Sequence, residues 1–116
     1  MLPWPPSNNT YYRHVGSQTL LSRRGREYRR EVETECMIQR ARLVPGRVGV
    51  VVSAFPPDRR RRDLDNLLKG LLDALVHSRV IEDDSQIDDL RIVRGEVIGG
   101  GSVRVDIRAV TEVVRA

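Results

Sequence analysis

Lysine is nearly absent from this chain. Of its twenty basic residues nineteen are arginine, and Lys69 alone is lysine. Arginine keeps its charge and cannot give up a proton, whereas lysine is a compact point charge of tunable basicity. A lone lysine therefore stands out from the generic surface cations. Cysteine is as scarce. The one cysteine, Cys36, excludes an internal disulfide, and with only two separated histidines it excludes a Cys/His zinc site in practice. Aromatic residues make up 4% of the chain, so the core must be aliphatic. No segment approaches the ~20 apolar residues that span a bilayer, and no signal-peptide pattern opens the sequence. The expectation is a cytoplasmic protein with no membrane partner. No glycine-rich phosphate loop precedes a helix, and no small-molecule cofactor is expected.

What is present is charge in blocks. The net charge is +4 over 116 residues, a length that suits a single domain, 1–116. Basic residues gather at Arg23, Arg24, Arg26, Arg29 and Arg30, and again at Arg59, Arg60, Arg61 and Arg62. Such blocks suit a polyanion, because each neutralised phosphate releases condensed counterions. A solvated face or a patch for an acidic partner gives the same composition.

Coarse patterning predicts a small α/β (α+β-like) fold. The segment "LPWPPSNNTYYRH" has no period and reads as an ordered loop, and "SQTLLS" as a short extended piece. Ser22 can cap a helix from about Arg23 to Arg42, with Tyr28, Val32 and Cys36 on its inner face. Cys36 there reads as a buried small hydrophobe. "RVGVVVSAF" predicts a strand covered on both faces. Leu67, Leu68, Leu71, Leu72 and Leu75 predict a second helix from about Asp65 to Val76. "DDLRIVRGEVI", a "GGG" turn and "SVRVDIRAV" read as a β-hairpin. The sum is a mixed sheet carrying two main helices.

Half of the sixteen acids lie between residues 63 and 89, in a chain that is otherwise basic. Singly, each is explained by a helix cap, an arginine partner or a solvated turn. Together they match what metal-assisted phosphodiester hydrolysis requires, carboxylate oxygens converging on Mg²⁺. Asp63 and Asp65, at i and i+2 in an extended segment, would point to one side. Lys69 follows Asp65 by one helical turn and faces the same space. A helix from Asp65 to Val76 is about 18 Å long, and the link that follows extends up to ~27 Å. Asp84 can therefore return to the helix start, or be delivered across a dimer interface.

These residues carry a resemblance. "RRRRDLDNLLKGLLDAL", "EDDSQIDDLRIVRG", the opening "LPWPPSNNTYYRH" and "SRRGREYR" closely resemble, in order and spacing, the RusA family of Holliday-junction resolvases. The likeness runs from about Leu2 to Gly95. It implies a homodimeric, Mg²⁺-dependent endonuclease, with Mn²⁺ as a substitute ion, that binds four-way junction DNA and nicks it symmetrically. It also implies essential acids at Asp63, Asp65 and Asp84, an essential lysine at Lys69, and an adjacent acid at Asp83. The arginine before the first acid falls on Arg62. Candidate DNA contacts are Arg59 to Arg62, Asn66 and Arg13. Two departures stand out. Only Met1 and Leu2 precede the P-W-P-P segment, so the family's first strand is expected to be short or absent. Arg94 stands where the family often has a lysine.

Other readings fit the same composition. A non-catalytic DNA-binding module would bind in a salt-sensitive way without nicking. An interaction protein with a basic face would not prefer junctions to plain duplex. A nuclease for flaps or forks shares the chemistry and differs in substrate shape.

Overall fold

The structure is a computed structural model that describes residues 1–110. Its elements run β1 (Leu2–Pro3), α1 (Asn8–Tyr11), β2 (Tyr12–Val15), β3 (Gln18–Leu21), α2 (Arg23–Ile38), β4 (Val48–Phe55), a 3₁₀ turn (Leu64–Leu67), α3 (Leu68–His77), a second 3₁₀ turn (Asp84–Gln86), β5 (Ile87–Arg94) and β6 (Ser102–Ala109). Four strands form one mixed sheet in the order β1-β6-β4-β5, and β2-β3 form a separate antiparallel ribbon. The fold class is the expected one, a mixed sheet with two main helices. Among the described residues no helix is long and apolar enough to cross a membrane.

The valine-rich β4 sits at the centre, parallel to β5 and antiparallel to β6. Val48, Val50, Val52 and Ala54 are buried and face α2 and α3, where Tyr28, Val32, Cys36, Leu71, Ala74 and Leu75 meet them. Cys36 lies in this core as expected, and burial pushes its thiol pKa up. The expectation of two covered faces is corrected. The other face of β4 presents Val51 and Ser53 between Asp89, Arg91 and Val93 of β5 and Arg104, Asp106 and Arg108 of β6. A charged face of this kind stays in water, so both helices cover one side of the sheet only.

The expected hairpin is also corrected. β5 and β6 do not pair with each other; each pairs with β4, which lies between them. Residues 95–101 cross the end of β4, held by the Gly95 amide on the Ala54 carbonyl (2.7 Å) and the Ile98 amide on the Pro56 carbonyl (2.9 Å). Alternation in the sequence is identical for a strand paired with its neighbour and one paired beyond it.

The N-terminal segment holds more structure than a loop. Leu2 and Pro3 pair with Val103 and Ser102, so the family's first strand is present but two residues long. Ser7 then caps the single turn α1, and Tyr12 opens the ribbon. Helix α2 begins at the expected cap, Ser22, whose hydroxyl accepts the Gly25 amide at 2.9 Å. It stops at Ile38 rather than Arg42. Arg40 turns into the left-handed region (φ 54°), and the Arg40 and Ala41 amides close back onto Met37 and Cys36. That is the paired closure of a Schellman end with arginine in the usual glycine place.

Candidate active site

The site is built where α1 meets the start of α3. The first amides of a helix lack intrahelical acceptors, and Asn8 of α1 serves this junction from both ends of its amide. Its Oδ1 accepts the Lys69 amide (3.3 Å) and its Nδ2 donates to the Asp65 carbonyl (3.4 Å). Asp65 and Lys69 are thereby fixed on one side of a cleft of about 480 Å³, whose lining also includes Tyr12, Asp73, Asp83 and Asp84.

Asp83 and Asp84 arrive on the second 3₁₀ turn. The Asp83 side chain accepts the Ser85 amide at 2.9 Å, while Gln86 Oε1 accepts the Glu82 and Asp83 amides at 2.6 and 3.0 Å. Gln86 Nε2 donates in turn to the Val44 and Gly46 carbonyls. The D-D-x-Q spacing thus has a structural cause: the glutamine clamps the acidic turn to the loop before β4. Asp83 is held below the usual carboxylate range, mainly by the Ser85 amide, and Asp84 is pushed above it, mainly by the Asp83 carboxylate.

Asp63 does not join this group. It lines a neighbouring cleft of about 320 Å³ with Trp4, Ser7, Arg61, Arg62 and Asn66. The extended i, i+2 geometry expected for Asp63 and Asp65 fails, because residues 64–67 coil into a 3₁₀ turn while Asp63 alone stays extended (φ −88°, ψ 131°). At three residues per turn, positions two apart point in different directions.

Oxygen-only donors suit a hard divalent cation. Asp65, Asp83 and Asp84 fit one by donor chemistry. Among the described residues, however, no three acidic, histidine or cysteine side chains are drawn into ligating proximity.

The arginine run divides into two pairs. Arg60 and Arg62 both grip Asp58, at 3.1 and 2.7 Å. Arg62 also lies over the Trp4 ring at 5.9 Å, and Arg94 donates to the Arg62 carbonyl at 2.7 Å. That contact gives Arg94 a place: it fastens the run to the end of β5. Arg62, before the Arg60 contribution, holds the Asp58 carboxyl far below its ordinary range. Arg59 and Arg61 are exposed and have no ion-pair partner among the described residues. Strand alternation turns Arg13 to the opposite side of the ribbon from Tyr12.

Several residues at the site were not legible in the sequence. Asn8 and Tyr12 come from the segment read as a loop. Asp73, which lines the cleft, joins Arg29 and the fully buried Tyr11 in a cluster. Its Oδ2 accepts the Tyr11 hydroxyl and Arg29 Nε, the latter at 2.8 Å. The adjacent polar and aromatic pairs of "NNTYY" were the available signal.

The chain is similar to known proteins over nearly its whole length. The family model described as Endodeoxyribonuclease RusA matches residues 3–109. The crossover junction endodeoxyribonuclease of Enterobacteria phage HK97 is 46% identical over 110 residues, covering 92% of this chain and 90% of that protein. The protein of the same name from Shigella sonnei is 44% identical over 109 residues, covering 91% and 89%. That from Enterobacteria phage 82 is 42% identical over 115 residues. The match takes in both 3₁₀ turns, the arginine run and nearly every strand of the sheet, and the chain belongs to the RusA endodeoxyribonuclease family.

Proposed function

We propose that this chain is a Mg²⁺-dependent, structure-specific endodeoxyribonuclease that resolves Holliday junctions by paired symmetric nicks, in recombination and repair, within the cytoplasm. The observation that carries this is one cleft lined by Asp65, Lys69, Asp83 and Asp84 beside a run of four arginines. The names of the relatives give the substrate class.

Asp65 and Asp84 with Asp83 would hold the ion from within the cleft, and Asp63 would complete the set from the adjoining one. When bound, Mg²⁺ (or Mn²⁺ in its place) supplies Lewis acidity toward the scissile phosphate and lowers the pKa of an attacking water. Water oxygen would bond to phosphorus while the bond to the leaving oxygen breaks, the water giving up its proton and the leaving oxygen gaining one through solvent. Lys69, whose backbone is fixed by Asn8, offers its ammonium to the negative charge that grows on the phosphoryl or leaving oxygen. Arg59 and Arg61 hold flanking phosphates and read little sequence. Arg60 and Arg62, tied to Asp58, shape the loop that presents them, and Asn66 lines the adjoining cleft.

A junction offers two symmetric strands, and a two-fold dimer offers two sites related in the same way. The direct test of the site is Asp65→Asn. Cleavage should fall below detection while four-way junction binding stays within about threefold, since one carboxylate among many phosphate contacts carries little affinity. A variant cutting at the wild-type rate would remove Asp65 from the mechanism.

A further inference from the structure

We propose that Tyr12 is a positioning residue for Lys69, its ring held in place by an anchor made of Tyr11, Asp73 and Arg29. The inference rests on the nuclease reading and deepens it by naming what aims the lysine. Lys69 lies exposed at the start of α3 on a flexible four-carbon stem. Four carboxylates share its cleft, yet among the described residues it is ion-paired with none of them. Its ammonium instead stands 5.9 Å from the centre of the Tyr12 ring, within the range of a cation–π contact. An ion pair would spend the charge that a phosphate needs. A ring face directs the ammonium and leaves its three donors available.

The Tyr12 ring is itself constrained. It meets Tyr11 edge-on, with centroids 4.8 Å apart and planes at 85°. Tyr11 is fully buried and wedged between two glycines. A Cβ at Gly70 would lie 2.8 Å from its ring, and one at Gly25 would lie 2.4 Å from its carbonyl oxygen. The hydroxyl of Tyr11 donates to Asp73, and Arg29 Nε reaches both groups, at 3.2 Å to the hydroxyl and 2.8 Å to Asp73. Burial, followed by Asp73, pushes the Tyr11 phenol well above its ordinary range, so it stays a donor. Asp73 sits one helical turn after Lys69 on α3. The anchor and the lysine therefore share a helix face, and the two tyrosines bridge the space between them.

Because Lys69 is the chain's only lysine, ¹³C-lysine labelling of the full chain yields one set of side-chain NMR signals. The ε-protons should be shifted upfield by the ring current in wild type and in Tyr12→Phe, and should lose that shift in Tyr12→Leu. This readout needs neither DNA nor metal, so it decides the Tyr12–Lys69 contact even if the wild type cuts nothing and the nuclease reading falls. In single-turnover cleavage of a labelled four-way junction with Mg²⁺, Tyr12→Leu should be about tenfold slower, the scale of a modest misplacement of a catalytic group. Junction affinity should stay within about twofold, and Tyr12→Phe should match wild type. Should Tyr12→Leu unfold, Tyr12→Met keeps apolar volume without a ring and takes its place. The proposal is overturned by an unshifted lysine signal in wild type. It is equally overturned by a ring-less variant that cuts at full rate, or by a rate loss matched by an equal loss of junction affinity.

Discussion

At the scale of single residues, the unusual feature is four arginines running into Asp63 and Asp65, with which none of them is ion-paired among the described residues. Asp58 explains half of the run, since it takes both Arg60 and Arg62. Replacing it with alanine frees two cations next to the cleft. Asp58→Ala should bind plain duplex more tightly and lose selectivity for junctions. The slope of log affinity against log salt should steepen by about 2, near the value for two added phosphate contacts. An unchanged slope in a fluorescence-anisotropy titration would mean that the released arginines find no phosphate. The shared cleft was legible in part: Asp65, Lys69 and Asp84 were brought together from charge pattern and reach, Asp83 came from the family resemblance, and all four line one cleft. The expected side-by-side geometry of Asp63 and Asp65 failed because residues 64–67 coil into a 3₁₀ turn, a local choice that hydrophobic periodicity does not register. Asn8, Tyr12 and Asp73 were hidden because their roles depend on contacts across more than fifty residues of chain, such as Asn8 with Asp65 and Tyr11 with Asp73.

At the scale of elements, α2 was read correctly at its start and four residues too long at its stop. Helix α3 was read three residues early at its start and within one residue at its stop. Ser22 announces α2 because a side-chain oxygen must satisfy an orphan amide. The ends of α2 and α3 carry no such mark. Arg40 (φ 54°) and Arg79 (φ 60°) occupy the left-handed position where glycine is usual, and the amides that follow close onto Cys36 and Leu75. A side chain in that conformation costs about 1–2 kcal/mol, part of which glycine returns through its greater freedom in the unfolded chain. Arg40→Gly and Arg79→Gly should each stabilise by about 0.5–1 kcal/mol and raise the thermal midpoint by a few degrees. Lower midpoints in calorimetry would show that the arginine side chains contribute more than their strain costs. The β5–β6 connection was the larger misreading. Periodicity states which face of a strand is apolar and is silent on which strand lies beside it.

At the scale of the whole molecule, the sheet is covered on one side and charged on the other, and the acidic cleft opens beside the arginine loop. Two such sites, related by a two-fold axis, are what a four-way junction needs. Sedimentation at micromolar concentration should give a dimer; a monomer that persists with junction present would contradict paired nicking. The central claim is that negative side chains beside a phosphate-gripping run make sense only when a divalent ion reverses the local sign. It is tested most directly by incubating the chain with a labelled four-way junction and a matched duplex, each with and without Mg²⁺. The account predicts paired symmetric nicks in the junction with Mg²⁺, salt-sensitive binding without cutting when the ion is withheld, and an intact duplex throughout. Binding with no Mg²⁺-dependent nick, equal cutting of duplex, or cleavage confined to flaps and forks would contradict it.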